Sequence, residues 1–135
     1  MKSPKVLFIK GSVAKHNILG KKGEKAAIDL LMDRGYRILA KNWRFMRAEI
    51  DIIAKTDKTL VIIEVKTRSS ESFGQPSDFV DWKKRQLLID AATEYAINHS
   101  HDGEIRFDII GVLVRPEGGF RIRHIEDAFY PDIQI

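Results

Sequence analysis

The chain has 135 residues, 44% hydrophobic and 31% charged, with no cysteine. That suits one domain with a single core, and it excludes disulfides, thiolate metal sites and cysteine nucleophiles. No apolar run approaches the roughly 20 residues that a membrane-spanning helix needs, and KVLFI at residues 5–9 is too short for a secretory leader, so we expect a cytoplasmic protein with no membrane partner. The formal charge of +4 is uneven: residues 1–25 hold seven Lys and one Glu, which is +6, and leave −2 for the rest. Such an arm can bind phosphates, although a solvated leader explains the same charges.

In chain order, residues 1–19 show no sustained periodicity, and Gly11, Gly20 and Gly23 punctuate them. We expect residues 1–13 to be an irregular basic extension, with at most a short strand over VLFI, and residues 14–135 to form one domain. GEKAAIDLLMDR, residues 23–34, has helical spacing at Ala27, Leu30, Leu31 and Arg34, and Gly35 stands where a helix C′ residue belongs. Three strands follow, over residues 36–44, 48–55 and 59–68. Gly74 and Pro76 interrupt the next loop. Ser77 or Asp78 then caps a helix reaching about His99, with Val80, Leu87, Leu88, Ala91, Tyr95 and Ala96 as its apolar stripe. A fourth strand spans residues 105–114, and a short fifth, residues 120–125, follows the Gly118-Gly119 turn. Short links make the first three strands antiparallel neighbours, and the long helix is the crossover that returns the fourth to the sheet. The expected fold class is α/β: a mixed sheet in the order α-β-β-β-α-β(-β) with helices packed on it.

The third strand, TLVIIEVKTR, places Glu64 and Lys66 on one face of an otherwise apolar segment. If Asp57-Lys58 is the hairpin turn before it, Ile52 faces Ile63, Asp51 faces Glu64 and Glu49 faces Lys66. Opposed carboxylates repel. A divalent cation resolves that conflict, because Mg²⁺ is held by one or two carboxylates and keeps several waters. Lys66 would then orient or deprotonate a water, or neutralise a developing oxyanion. The competing account is a Glu49–Lys66 ion pair with Asp51 and Glu64 at a wet sheet edge.

Asp51, twelve residues and then Glu64-Val65-Lys66 resemble the PD-(D/E)xK nuclease signature, a weak pattern by itself. HNILGKKGEKAA, GYRILAKNWR, AEIDIIA, LVIIEVKTR, FGQP and RFDIIGV, in this order, resemble the YraN-like family of small bacterial proteins over roughly residues 14–128. That family is similar to archaeal Holliday-junction resolvases and is placed in the restriction-endonuclease-like fold. The resemblance implies Asp51 and Glu64 as metal ligands, the Val65 carbonyl as a third oxygen, Mg²⁺ or Mn²⁺ as the cofactor, and Lys66 as the catalytic lysine. Glu24 would approach the metal through water; its competing role is an acid stabilised by a helix N-terminus. Glu49 joins Lys66 and Glu24 in the catalytic set. Two features depart from the family: Ala48 replaces a common glycine, and twelve residues precede Val13, where a translation start is one hypothesis.

Lys83, Lys84 and Arg85, with Trp82 beside them, suit phosphate contact and base stacking, or else form a solvated helix face. Arg44, Arg47 and Arg68 lie close to the proposed centre and are further phosphate-binding candidates. Asp108 is read as structural, paired with Arg106 or another base, and His99 and His101 as surface residues. The expected function is metal-dependent hydrolysis of phosphodiester bonds in DNA, including branched DNA. The alternative is a nucleic-acid-binding module of nuclease fold with little or no catalysis. A homodimer would suit paired cuts on a symmetric junction.

Overall fold

The computed structural model describes residues 4–69 and 81–131, with side chains described from Ile18 onward. Its elements are α1 (Pro4–Asp33), β1 (Arg37–Phe45), β2 (Ala48–Thr56), β3 (Thr59–Arg68), α2 (Trp82–Asn98), β4 (Ile105–Val114) and β5 (Phe120–Phe129). The strands form one sheet in the order β1-β2-β3-β4-β5. Among the described strands only β3 and β4 pair in parallel. Two-residue links leave no alternative to hairpins for β1–β2 and β2–β3, whereas the α2 crossover returns the chain in the same direction. The expected mixed α/β class and element order are therefore found.

Alternation along β3 divides the core. Leu60 and Ile62 join Ile50, Ile53, Leu88, Ala91, Ala92 and Tyr95 on the α2 face. Val61 and Ile63 join Ile52, Ala54, Ala26, Ala27 and Leu31 on the α1 face. Two-sided burial explains why TLVII reads as a continuous apolar run.

Four expectations need correction. Helix α1 begins at Pro4, where an irregular arm with a short strand was expected. Pro4 has a φ suited to a first helical residue. Each glycine inside the helix weakens it by only about 1 kcal/mol relative to alanine, so these are not breaks. Gly23 serves a contact instead: a Cβ there would lie 1.8 Å from Thr67 Oγ1, so its absence lets α1 come down on β3. Helix α2 begins at Trp82 with Asp81 as N-cap, whose side chain accepts from Lys84 N; Ser77, Asp78 and Val80 lie outside the described residues. Leu87 is 38% exposed, and Ala92 is buried in its place. Finally, β5 continues to Phe129. The polar Glu126-Asp127 pair suggests a strand end, but a bulge there turns Asp127 N–H onto Asp108 Oδ1 at 3.0 Å, and pairing resumes at Phe129 opposite Phe107.

Candidate active site

The Asp57-Lys58 turn sets the predicted register: Thr56 faces Thr59, Ala54 faces Val61 and Ile52 faces Ile63. The ladder stops there. Asp51 and Glu64 are not a regular pair, because Asp51 Oδ2 accepts the Val65 N–H at 2.8 Å. A side chain has entered the seam between the strands and taken a backbone donor. Alternation fails at the same point: Ile50 faces the α2 core and Ile52 the α1 core, two residues apart. Across the seam to β1, Asn42 has φ +51°. Asparagine tolerates that left-handed conformation better than a β-branched residue would. The sheet thus opens where its carboxylates lie.

Asp51, Glu49, Val65, Lys66, Thr67 and Arg68 line a cleft of about 670 Å³, closed on one side by Leu19, Gly20, Lys21 and Glu24 of α1 and on another by Asn42 and Arg44 of β1. Glu64 is 5% exposed and is not part of that lining. Lys66 Nζ sits 3.2 Å from Glu64 Oε1, and Lys84 Nζ reaches the same oxygen at 2.5 Å. Glu64 Oε2 is buried and has no hydrogen-bond partner among the described residues. A buried carboxylate oxygen without a donor is costly, and it is the atom that a cation between Glu64 and Asp51 would take up.

The charges here are strained. Burial, then the neighbouring Glu64 and Glu24, push the Asp51 carboxyl up to about 7, against the Val65 N–H and Lys84. Burial, then Glu49 and Glu64, raise the Glu24 carboxyl despite a hydrogen bond from Asn42. Burial and the adjacent Lys84 lower the Lys66 amine, although Glu64 opposes them. For Lys84, burial works against the charged form, but Glu64 outweighs it and the amine rises.

The predicted residues divide as follows. Asp51, Glu64, Lys66 and Glu24 come together, with Val65 entering through its N–H. Glu49 is not paired with Lys66; the ladder has ended, and Glu49 binds Arg44 at 3.2 Å. Arg68 lines the main cleft and donates to Thr67 O at 2.9 Å. Arg47, Lys83 and Lys84 line a second cleft of about 380 Å³ on the α2 side of Glu49. Arg85 turns away, its guanidinium 5.4 Å from the Phe129 ring centre. Trp82 is 62% exposed at the start of α2. Two members were missed. Asn42 carried no signal beyond a polar residue within a strand. Lys84 was placed with the phosphate contacts, and only the docking of α2 shows it on Glu64.

Asp108 is a separate structural centre. It accepts from Arg106 Nε at 2.9 Å and Arg106 Nη2 at 2.8 Å, and it lies 2.7 Å from His124 Nε2. His99 is exposed and stacks on Tyr95 with ring centres 3.8 Å apart.

A metal fits this set in one way only. Among the described residues no three Asp, Glu, His or Cys side chains gather to hold an ion. Asp51 and Glu64 would supply two hard oxygens and water the remainder, which suits Mg²⁺ better than a cation needing a full protein cage.

These features define a class: a mixed α/β protein whose central hairpin opens around a buried carboxylate, Glu64, and a half-buried one, Asp51, with two lysines on Glu64. The chain belongs to the YraN-like group described as "Uncharacterised protein family UPF0102", whose profile matches residues 23–112. It is 54% identical over 118 residues to a UPF0102 protein of Flavobacterium psychrophilum, covering 87% of this chain and 98% of the relative. It is 48% identical to one of Christiangramia forsetii over 118 residues, with the same coverage. A third, from Bacteroides thetaiotaomicron, is 46% identical over 121 residues, covering 90% of this chain and 99% of the relative.

Proposed function

We propose that the protein is a Mg²⁺- or Mn²⁺-dependent endonuclease of restriction-endonuclease-like type, acting on DNA, including branched DNA. The observation that carries this reading is the partnerless, buried Oε2 of Glu64 beside an Asp51 whose carboxyl resists ionisation. A structural ion pair has no use for that combination, whereas a bound cation relieves both faults.

Asp51 and Glu64 would hold the metal, whose chemistry is to polarise a phosphoryl oxygen and make bound water acidic. The Val65 N–H fixes one Asp51 oxygen and so the direction of the other. Lys66, whose Nζ lies 3.2 Å from Glu64 Oε1, would orient or take a proton from water, or donate to an equatorial phosphate oxygen. Glu24 reaches the cleft from α1 and would orient water. Arg44, Arg47, Arg68 and Lys83 would carry the backbone of the nucleic acid, with exposed Trp82 as a stacking surface.

The test is cleavage of linear, flap and four-way-junction DNA with Mg²⁺ or Mn²⁺. Wild-type protein should cut at least one, and Asp51→Asn and Lys66→Met should not. Salt-sensitive DNA binding without cleavage under any metal would favour the alternative, a binding module of nuclease fold.

A further inference from the structure

We propose that Lys84 is a built-in counter-ion of the carboxylate pair: it holds Glu64 in the metal-free protein, and a divalent cation must displace it to bind. The inference rests on the metal-site reading above and adds a residue from α2 to it.

Position argues first. Lys84 is the third residue of α2, and its own N–H is bound by the Asp81 cap at 2.9 Å, so its backbone is anchored beside the sheet. From there Nζ reaches Glu64 Oε1 at 2.5 Å, closer than the 3.2 Å of Lys66 on the same strand as Glu64. Two ammonium groups therefore share one oxygen while the second has none among the described residues. A purely structural pairing would spread the two donors over the two oxygens.

Charge argues next. In the fully ionised state that binds a cation, Glu24, Asp51 and Glu64 bring three negative charges, and Lys66 and Lys84 bring two positive ones. Adding a divalent cation with both lysines in place leaves the cluster at +1, with three cationic centres crowded on Glu64 and Asp51. Withdrawing one lysine brings it to zero. Lys84 is the one free to leave: its side chain is 38% exposed against 19% for Lys66. It also lines the α2-side cleft with Arg47 and Lys83, where a withdrawn ammonium meets solvent and any phosphate held there.

The experiment measures Mn²⁺ binding by electron paramagnetic resonance and thermal unfolding with and without Mn²⁺, on wild type, Lys84→Gln, Lys84→Arg and Asp51→Asn. Lys84→Gln should bind Mn²⁺ roughly tenfold more tightly, since one charged hydrogen bond no longer has to be broken. It should also melt lower without metal and gain more from Mn²⁺ than wild type does. Lys84→Arg, which keeps the pairing and guards against a folding defect in the first variant, should bind no more tightly than wild type. Wild-type binding with equal or weaker affinity in Lys84→Gln overturns the counter-ion role and leaves the metal site standing. An absence of Mn²⁺ binding in wild type and both Lys84 variants overturns the role and the metal reading together.

Discussion

Asp51 and Val65 are joined by a hydrogen bond that replaces a rung of the β2–β3 ladder, the carboxylate accepting the Val65 N–H at 2.8 Å. This one substitution ends the regular hairpin, holds Asp51 in the seam next to Glu64, and opens the cleft that α1 and β1 close. The geometry of the centre follows from it.

Asp51→Asn keeps an acceptor for Val65 and removes the charge of a proposed metal ligand. It should stay folded and lose metal-dependent DNA cleavage by at least about 100-fold. A cleavage assay beside a circular dichroism spectrum checks both parts.

The same residue predicts a pH dependence in metal-free protein. Its folded pKa, about 7, stands above its ordinary 3.8. The folded state therefore holds this proton more tightly, and the stabilisation is complete below about pH 4 and lost as pH rises to about 7. Melting curves across that window should flatten in Asp51→Asn, and Mg²⁺ should restore wild-type stability most at the alkaline end.

Lys66→Met should lower the cleavage rate on the order of 10²–10³-fold while DNA affinity, read by fluorescence anisotropy, changes little. A matching loss of affinity would make Lys66 a phosphate contact instead.

Gly23→Ala tests how α1 positions Glu24. The new Cβ would strike Thr67, with Oγ1 at 1.8 Å and Cβ at 2.8 Å. Lifting the helix should cost about 1–3 kcal/mol and reduce cleavage further than the stability loss explains. Adding Thr67→Gly, which removes all the clashing atoms, should recover part of both.

Asp108→Asn should act on stability alone. Burial opposes its ionisation, but hydrogen bonds from His124, Arg106 and the Asp127 N–H hold the carboxyl below its ordinary range. That stabilisation is present above about pH 4 and fades as pH falls through the lowered value. Removing one partner of a buried charge network costs about 3–5 kcal/mol, measurable by urea unfolding. Mn²⁺ binding at Asp51 and Glu64 should persist wherever the variant is folded.

Much of this was legible along the chain. Gly35, with φ +87°, ends α1 where the sequence places a C′ glycine. The bounds of β3 and β4 match prediction, because long apolar runs buried on both faces leave little freedom. The β2–β3 register was readable because a two-residue turn fixes which residues can face each other. Errors fell where local signals mislead: glycines within α1, and charged Glu126-Asp127 within β5.

The chain alone therefore determined the element order, the hairpin register and the nearness of Asp51, Glu64 and Lys66, all of which depend on contacts within about 15 residues along the sequence. Tertiary structure decided that Asp51 would take a backbone donor rather than face Glu64 squarely, that Glu49 would turn to Arg44, and that Lys84 would reach Glu64. The last depends on the rotation of α2 about its axis, set by Leu88, Ala91, Ala92, Tyr95 and Ala96 packing on the sheet. Helical periodicity names the buried face, but only packing against a particular surface decides which flanking side chain meets which charge.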